Sequence, residues 1–313
     1  MRYNLDMNKH ISEILETALE KGREIIPEGN VATYIPELGK ADKNKLGICI
    51  CTPDGSVYRA GDTDTRFTIQ SISKVISLAV ALETCGFETV FGKVGMEPSG
   101  EAFNSLVELD LNSNRPFNPM INSGALTISS LLHPEYTFKQ MTEFARKLCL
   151  DPSIELDAAV FQSEMSHLSR NRAIAYLLES KGIIETGVEE SLKLYTQMCS
   201  LRVSAESLAN LGLVLAGDGV HPKTGEQLIS PRTAEVVKTI MLTCGMYDGS
   251  GEFAVRVGIP TKSGVGGGLL SVVNNRMGIG VYGPSLDHKG NCIAGHPLLE
   301  YLSQELKLHI FSQ

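Results

Sequence analysis

Ser71 and Lys74 stand three residues apart in FTIQSISKVISLAVALE (67–83), a spacing that puts two side chains on one face of a helix. A hydroxyl beside an amine is the pairing of a nucleophile with its base, and it works when the amine is uncharged. Val75, Ile76, Leu78 and Ala79 follow Lys74, so the lysine is expected to be partly buried, which favours the neutral form. Ser71 falls where a loop gives way to the apolar run. A helix N-terminus there offers free N–H groups for an oxyanion. The same residues also read as a capped helix start followed by a solvated lysine, and the S-x-x-K spacing alone does not choose between the two.

A second stretch adds weight to the chemical reading. IPTKSGVGGGLL places Lys262-Ser263-Gly264 on a β-prone segment near the C-terminus, and this resembles the K-[ST]-G strand that flanks the S-x-x-K serine in serine β-lactamases and penicillin-binding proteins. The glycines at 264–268 lack the G-x-x-x-x-G-K-[ST] order of a phosphate loop. They read as strand backbone against which a ligand can lie.

The elements that must position these residues follow from periodicity and turn signals. Apolar spacing predicts a first helix over roughly 7–26, then an irregular connection rich in Pro, Gly and Asn. KLGICICTPDGSVYRAGD is a hairpin signal turning at Pro53-Asp54-Gly55. Segments 121–132, 137–149, 156–165, 170–181, 188–199, 204–216 and 231–243 carry apolar residues at three- and four-residue steps and predict helices. GEFAVRVGIP, TKSGVGGGLLSVVN and RMGIGVYGPS read as three β segments, and HPLLEYLSQELKL as a closing helix. The fold class expected is α+β, a mixed sheet flanked by helices with a helical subdomain. One domain would span 1–313, with 1–70 and 246–313 contributing the sheet and about 120–245 forming the helical subdomain on one side of a cleft.

Composition narrows the partners. The 313 residues are 42% hydrophobic and 20% charged, with a formal net charge of -8. That balance, without a Lys/Arg cluster, argues against nucleic acid or an anionic membrane as partner and favours a small molecule. No run approaches the roughly 20 apolar residues of a membrane span, and the N-terminus reads as an amphipathic helix with acidic residues instead of a secretion signal. A cytoplasmic protein is expected. Its seven cysteines, an odd number without C-x-x-C or metal spacing, read as reduced core residues.

YIPELG, QSISK, NPMINSGA, SEMSHLSRNRAIAY, LYTQMCS, CGMYDGSGEFA and IPTKSGVGGG occur in this order from 34 to 268. Together they resemble the serine-dependent, bacterial-type glutaminases, a family with a β-lactamase-like fold. The resemblance implies hydrolysis of L-glutamine to L-glutamate and ammonia through a seryl acyl-enzyme, with no metal or organic cofactor, usually by a homo-oligomer (dimer or tetramer). It implies that Ser71 is the nucleophile, Lys74 its base and Tyr247 a proton relay that contacts the substrate amide. Val265 would give an N–H to the oxyanion hole beside that of Ser71, and Tyr34 would line the pocket mouth. Asn122, Glu164, Asn171 and Tyr195 complete the set. Free glutamine is a zwitterion whose two charges must be paired once water leaves, so Glu164 would take the ammonium and the neutral donors the carboxylate. Lys262 would give electrostatic support.

Glu164 and Asn171 could share a face if one helix ran through both, whereas Ser169 capping a new helix would separate them. Ser123 and Ser169 depart from the family pattern, which has alanine and aspartate there. Two other readings use the same framework. One is a penicillin-recognising or esterase-like acyltransferase, against which the zwitterion-binding set counts. The other is a catalytically silent amino-acid sensor, against which an intact Ser71, Lys74 and Tyr247 counts.

Overall fold

The structure is a computed structural model that describes residues 2–100 and 115–312. Its helices are α1 (Arg2–Ile25), α2 (Ser73–Cys85), α3 (Phe87–Lys93), α4 (Asn122–Leu132), α5 (Phe138–Leu148), α6 (Ala158–Met165), α7 (Ser169–Ser180), α8 (Val188–Cys199), α9 (Ala205–Ala216), α10 (Pro231–Cys244), α11 (Ser250–Arg256) and α12 (Gly295–Glu305). The strands are β1 (Gly47–Cys51), β2 (Val57–Gly61), β3 (Phe67–Thr68), β4 (Arg202–Val203), β5 (Thr261–Gly264), β6 (Gly268–Val273) and β7 (Met277–Tyr282). No helix among the described residues is long and apolar enough to cross a membrane.

Five strands form one sheet in the order β2-β1-β7-β6-β5, drawn from both ends of the chain. All four pairings are antiparallel, so no parallel pair makes the sheet mixed. Short hairpins join β1 to β2, β5 to β6 and β6 to β7, and short connections permit only antiparallel neighbours. The Pro53-Asp54-Gly55 turn closes the first hairpin, with Gly55 at φ 85° and its N–H donating to the Thr52 carbonyl. Strand β1 is buried on both faces. Ile48 and Ile50 pack with Leu15, Leu298 and Leu299 of α1 and α12, while Cys49 and Cys51 pack with Ala205, Ala209 and Leu213 of α9. All seven cysteines are free thiols.

Helix α9 lies directly on the sheet, and glycines make the approach possible. A Cβ on Gly280 would lie 1.9 Å from the Ala205 carbonyl oxygen, and one on Gly278 2.0 Å from that of Ala209. Beyond α9, helices α4, α5, α8 and α10 share a core with α2, and α7 packs with α4 and α8 in a second cluster. Two further expectations change. GEFAVR forms α11 instead of a strand, because Phe253 and Val257, four apart, bury one helical face against the sheet and α12. The middle block also contains a two-residue strand, β4, which pairs with β3 just before Ser71.

The α9 contact generates a stability test. Gly280→Ala is expected to cost about 1–3 kcal/mol through overpacking, read as a fall of several degrees in melting temperature. Gly92→Ala, where a Cβ meets nothing within 4 Å on α3, is expected to leave the melting temperature unchanged or slightly raised.

Candidate active site

Ser71 lies in a single 3-10 turn, Gln70–Ile72, that leads into α2. Two contacts hold the turn. The Ile69 N–H donates to the Leu201 carbonyl at 2.8 Å, continuing the β3–β4 pairing. The β5–β6 turn lies against its other side, where a Cβ on Gly264 would be 2.8 Å from the Ile69 carbonyl oxygen and 3.4 Å from the Ser71 nitrogen. A Cβ on Gly266 would lie 2.4 Å from the Thr68 carbonyl oxygen. These glycines admit the protein's own backbone, the segment that carries Ser71.

Lys74, the second residue of α2, is 2% exposed. Its Nζ donates to the Met120 carbonyl at 3.1 Å and to Asn122 Oδ1 at 2.7 Å. Burial lowers its pKa to about 8. Both acceptors come from the start of α4. Asn118 Oδ1 accepts the Met120 N–H, extended backbone at Ile121 leads into the helix, and Asn122 is its first residue. Gly124 is required here, since a Cβ would lie 2.0 Å from the Asn118 carbonyl oxygen.

Asn122 is the centre of a polar cluster. Its Oδ1 also accepts from the Tyr195 hydroxyl at 3.2 Å, and its Nδ2 donates to Asn171 Oδ1 at 2.9 Å. Among the described residues, one Asn122 N–H and both Asn171 N–H groups remain for a ligand. The Lys74 Nζ lies 5.7 Å from the Tyr195 ring centroid. Cys199, one turn beyond Tyr195 on α8, is buried; burial and then the Glu164 charge push the thiol up to about 12, against the opposing hydrogen bonds of Ser73 and Tyr195.

Glu164 sits in the last turn of α6, and Asn171 on α7. The chain breaks helix between Met165 and Ser169, so no helix runs through both residues. Ser169 is the first residue of α7, exposed, and Leu168 occupies the cap position without a side-chain cap. Gln70 Nε2 donates to Glu164 Oε1 at 2.6 Å. Burial raises the Glu164 carboxyl to about 7, and the Gln70 hydrogen bond opposes that rise.

Tyr247 opens a 3-10 turn after α10 and shares a side-chain hydrogen bond with Ser71. Its hydroxyl donates to the Ser263 carbonyl at 3.2 Å, and burial raises its pKa. The fully buried Lys262 donates to the same carbonyl at 2.6 Å, with Nζ 4.4 Å from the Tyr247 ring centroid. Burial and then the charge of Lys74 hold Lys262 well below the usual lysine range. Val265 sits in the β5–β6 turn with its side chain buried against Ala32 and Leu286, in the neighbourhood of the Tyr34 loop. Tyr34 itself is 57% exposed. Desolvation of its hydroxyl and then the Glu164 carboxylate raise its pKa.

The fold therefore gathers the expected residues in one region, with Tyr34 and Val265 at the edge of its polar centre; Ser71 hydrogen-bonds with Tyr247, whose own proton goes to the Ser263 carbonyl, while Lys74 donates to Met120 and Asn122. Sequence reasoning missed Gln70, Cys199 and the Met120 and Ser263 carbonyls. Gln70 had one signal, adjacency to Ser71, and Cys199 had another, a four-residue step from Tyr195. Carbonyl acceptors leave no trace in residue type. Gln70 and Tyr247 are both non-glycine residues in the left-handed region, at φ 50° and 56°, a conformation that proteins retain mainly where a site requires it.

Comparison with known proteins bears on this geometry. The glutaminase family model matches residues 29–311. The glutaminase of Fusobacterium nucleatum subsp. nucleatum is 52% identical over 305 residues, covering 96% of this chain and all of that one. The crystal structure of a probable glutaminase from Bacillus subtilis superposes with a TM-score of 0.90 at 39% identity, covering 96% of this chain and 98% of that one. A covalent complex of a Bacillus subtilis glutaminase with 5-oxo-L-norleucine, formed by reaction with 6-diazo-5-oxo-L-norleucine, superposes with a TM-score of 0.87 at 40% identity, covering 96% and 99%. The architecture is that of the bacterial glutaminases, which have a β-lactamase-like fold.

Two protonation states follow from the burial. In a 13C-labelled sample the Lys74 side chain is expected to titrate near pH 8 and Glu164 near pH 7 by NMR. Gln70→Ala removes the hydrogen bond that favours the carboxylate, so the Glu164 midpoint is expected to rise.

Proposed function

We propose that this chain, which belongs to the glutaminase family, hydrolyses the side-chain amide of L-glutamine through a seryl acyl-enzyme, giving L-glutamate and ammonia. The observation that carries the mechanism is the state of Lys74. It is a buried amine with its pKa lowered to about 8, and it donates to two acceptors one turn from Ser71. A neutral amine has two N–H groups and one lone pair, so two donated hydrogen bonds leave only the lone pair to take a proton.

In the first half-reaction Lys74, assisted by Tyr247, removes the Ser71 proton while Oγ attacks the amide carbon. The N–H groups of Ser71 and Val265 hold the oxyanion. Their placement is supported by Gly264, which lets the two backbones run side by side. Collapse breaks the C–N bond, and the proton held by Lys74 and Tyr247 leaves with ammonia. In the second half-reaction water adds to the glutamyl ester, Lys74 takes its proton, and Ser71 recovers one on release of glutamate. Lys262 keeps the Ser263 carbonyl and the Tyr247 ring in place from behind.

Glu164 pairs with the substrate ammonium. The free N–H groups of Asn122 and Asn171 donate to the carboxylate, the Tyr195 hydroxyl holds Asn122 in place by donating to its Oδ1, and no competing cation is introduced. Tyr34 stands at the mouth. Serine at 123 is buried in α4 and serine at 169 exposed at the start of α7, so neither takes one of these roles. The same reading makes the chain one domain, acting as a cytoplasmic homo-oligomer, dimer or tetramer, without metal or organic cofactor.

Two measurements test the reading. Wild-type protein is expected to release ammonia and glutamate in equal amounts from L-glutamine, with L-asparagine as the control. Ser71→Ala is expected to lose about a thousandfold or more in kcat while still binding glutamine. 6-Diazo-5-oxo-L-norleucine should leave a covalent adduct on the Ser71 peptide, seen by mass spectrometry and absent from Ser71→Ala. An adduct elsewhere, or turnover by the variant, overturns the nucleophile.

The second measurement is the pH profile. Glu164 binds ammonium only as the carboxylate, so KM is expected to rise as pH falls through about 7. Lys74 acts only as the free amine, so kcat is expected to fall as pH falls through about 8. Glu164→Gln should raise KM above about pH 7, to the level the wild type reaches only below it, and so remove the dependence near 7, leaving the kcat limb.

A further inference from the structure

A cavity of about 620 Å³ lies apart from Ser71, between the β1–β2 turn, the end of α5, α9 and the segment 221–228. None of the candidate active-site residues lines it. The volume falls within the range of about 300–1,000 Å³ that small-molecule sites occupy. Its floor is apolar, formed by Cys51, Leu150, Leu213 and Leu228.

The charges around this floor are unevenly matched. Glu143 pairs with Arg146 at 2.5 Å, and Glu206 with Arg59 at 2.6 Å, so both carboxylates are already neutralised. Lys147 and Lys223 line the same cavity and have no partner among the described residues. Against them stands one unpaired carboxylate, Glu226. His221 adds a donor. Its Nδ1 accepts the backbone N–H groups of Lys223 and Thr224 at 3.1 and 3.3 Å, which leaves the ring proton on Nε2. Asn210, on the α9 wall, has a side-chain amide with no partner among the described residues.

We propose that this cavity binds a small organic anion with an apolar body, an aryl sulfonate or aryl carboxylate in chemical class, at a site separate from that of Ser71. The apolar body lies on Cys51, Leu213 and Leu228, and Lys147 and Lys223 pair with the anionic group. Lys147 and Lys223 are exposed, so a neutral polar ligand would leave them to water and gain nothing from them, and a cation would meet them directly. Nucleotides and other multiply charged anions are disfavoured by Glu226 and by the apolar floor.

The test uses the full chain and 8-anilinonaphthalene-1-sulfonate, titrated by fluorescence under native conditions. One saturable site per chain is expected. Lys147→Ala/Lys223→Ala should weaken binding about tenfold or more, and Asn210→Trp, which fills the cavity, should abolish it. N-phenyl-1-naphthylamine, the same body without the sulfonate, should bind the wild type about tenfold or more weakly. Glutamine turnover of the lysine variant should stay at the wild-type level, showing that it is folded. Absence of saturable binding overturns the proposal. So does unchanged affinity in either variant, or equal affinity for the charged and neutral compounds.

Discussion

Burying an amine in the first turn of an apolar helix is the constraint from which most of the site follows. An ammonium out of water needs hydrogen-bond acceptors, and without a carboxylate beside it the charged form is disfavoured. Lys74 meets this with two neutral acceptors, the Met120 carbonyl and Asn122 Oδ1. Neither neutralises the ammonium, so the amine is held near the midpoint of its titration. Those acceptors in turn require α4 to begin at Asn122, the Asn118 turn to hold Met120, and Gly124 to let the helix pass the Asn118 carbonyl.

Glu164 obeys the same physics with the opposite sign. Burial raises its pKa, and a single neutral donor from Gln70 partly restores the carboxylate. Two groups of opposite charge type are thus both brought toward neutral pH by the same low-dielectric cluster. Gln70 links them in the chain, since it is next to Ser71 and hydrogen-bonded to Glu164. Its left-handed backbone turns its side chain and that of Ser71 to their separate tasks.

Glycine packing joins the halves of the molecule. Gly278 and Gly280 let α9 sit on β7, and Gly264 and Gly266 let the β5–β6 turn sit on the strand and turn before α2. A side chain at any of these four positions would push a backbone away. The backbone at Gly264 therefore lies against Ile69 and Ser71, nearly 200 positions away in the chain, and the KSG segment reaches Tyr247 through the Ser263 carbonyl.

Helix positions in the middle block were readable from apolar spacing, which is plainest where a helix such as α5 buries one face and weaker in α4 and α9, which are buried nearly all round, and the Pro53-Asp54-Gly55 turn was readable because its chemistry is local. Ser71, Lys74 and the KSG segment carried their meaning in residue type and order. GEFAVR was misread because a seven-residue amphipathic helix and a short β-prone run share a composition, and packing on α12 settles the choice. Glu164 and Asn171 belong to separate helices, and their convergence depends on the break at 166–168. The hydrogen-bond partners of Lys74 and Tyr247 are largely backbone carbonyls, which every residue possesses, so only the three-dimensional packing could select Met120 and Ser263. Protonation was undecided by residue type for the same reason: it depends on which atoms replace water around a group, and those atoms come from distant parts of the chain.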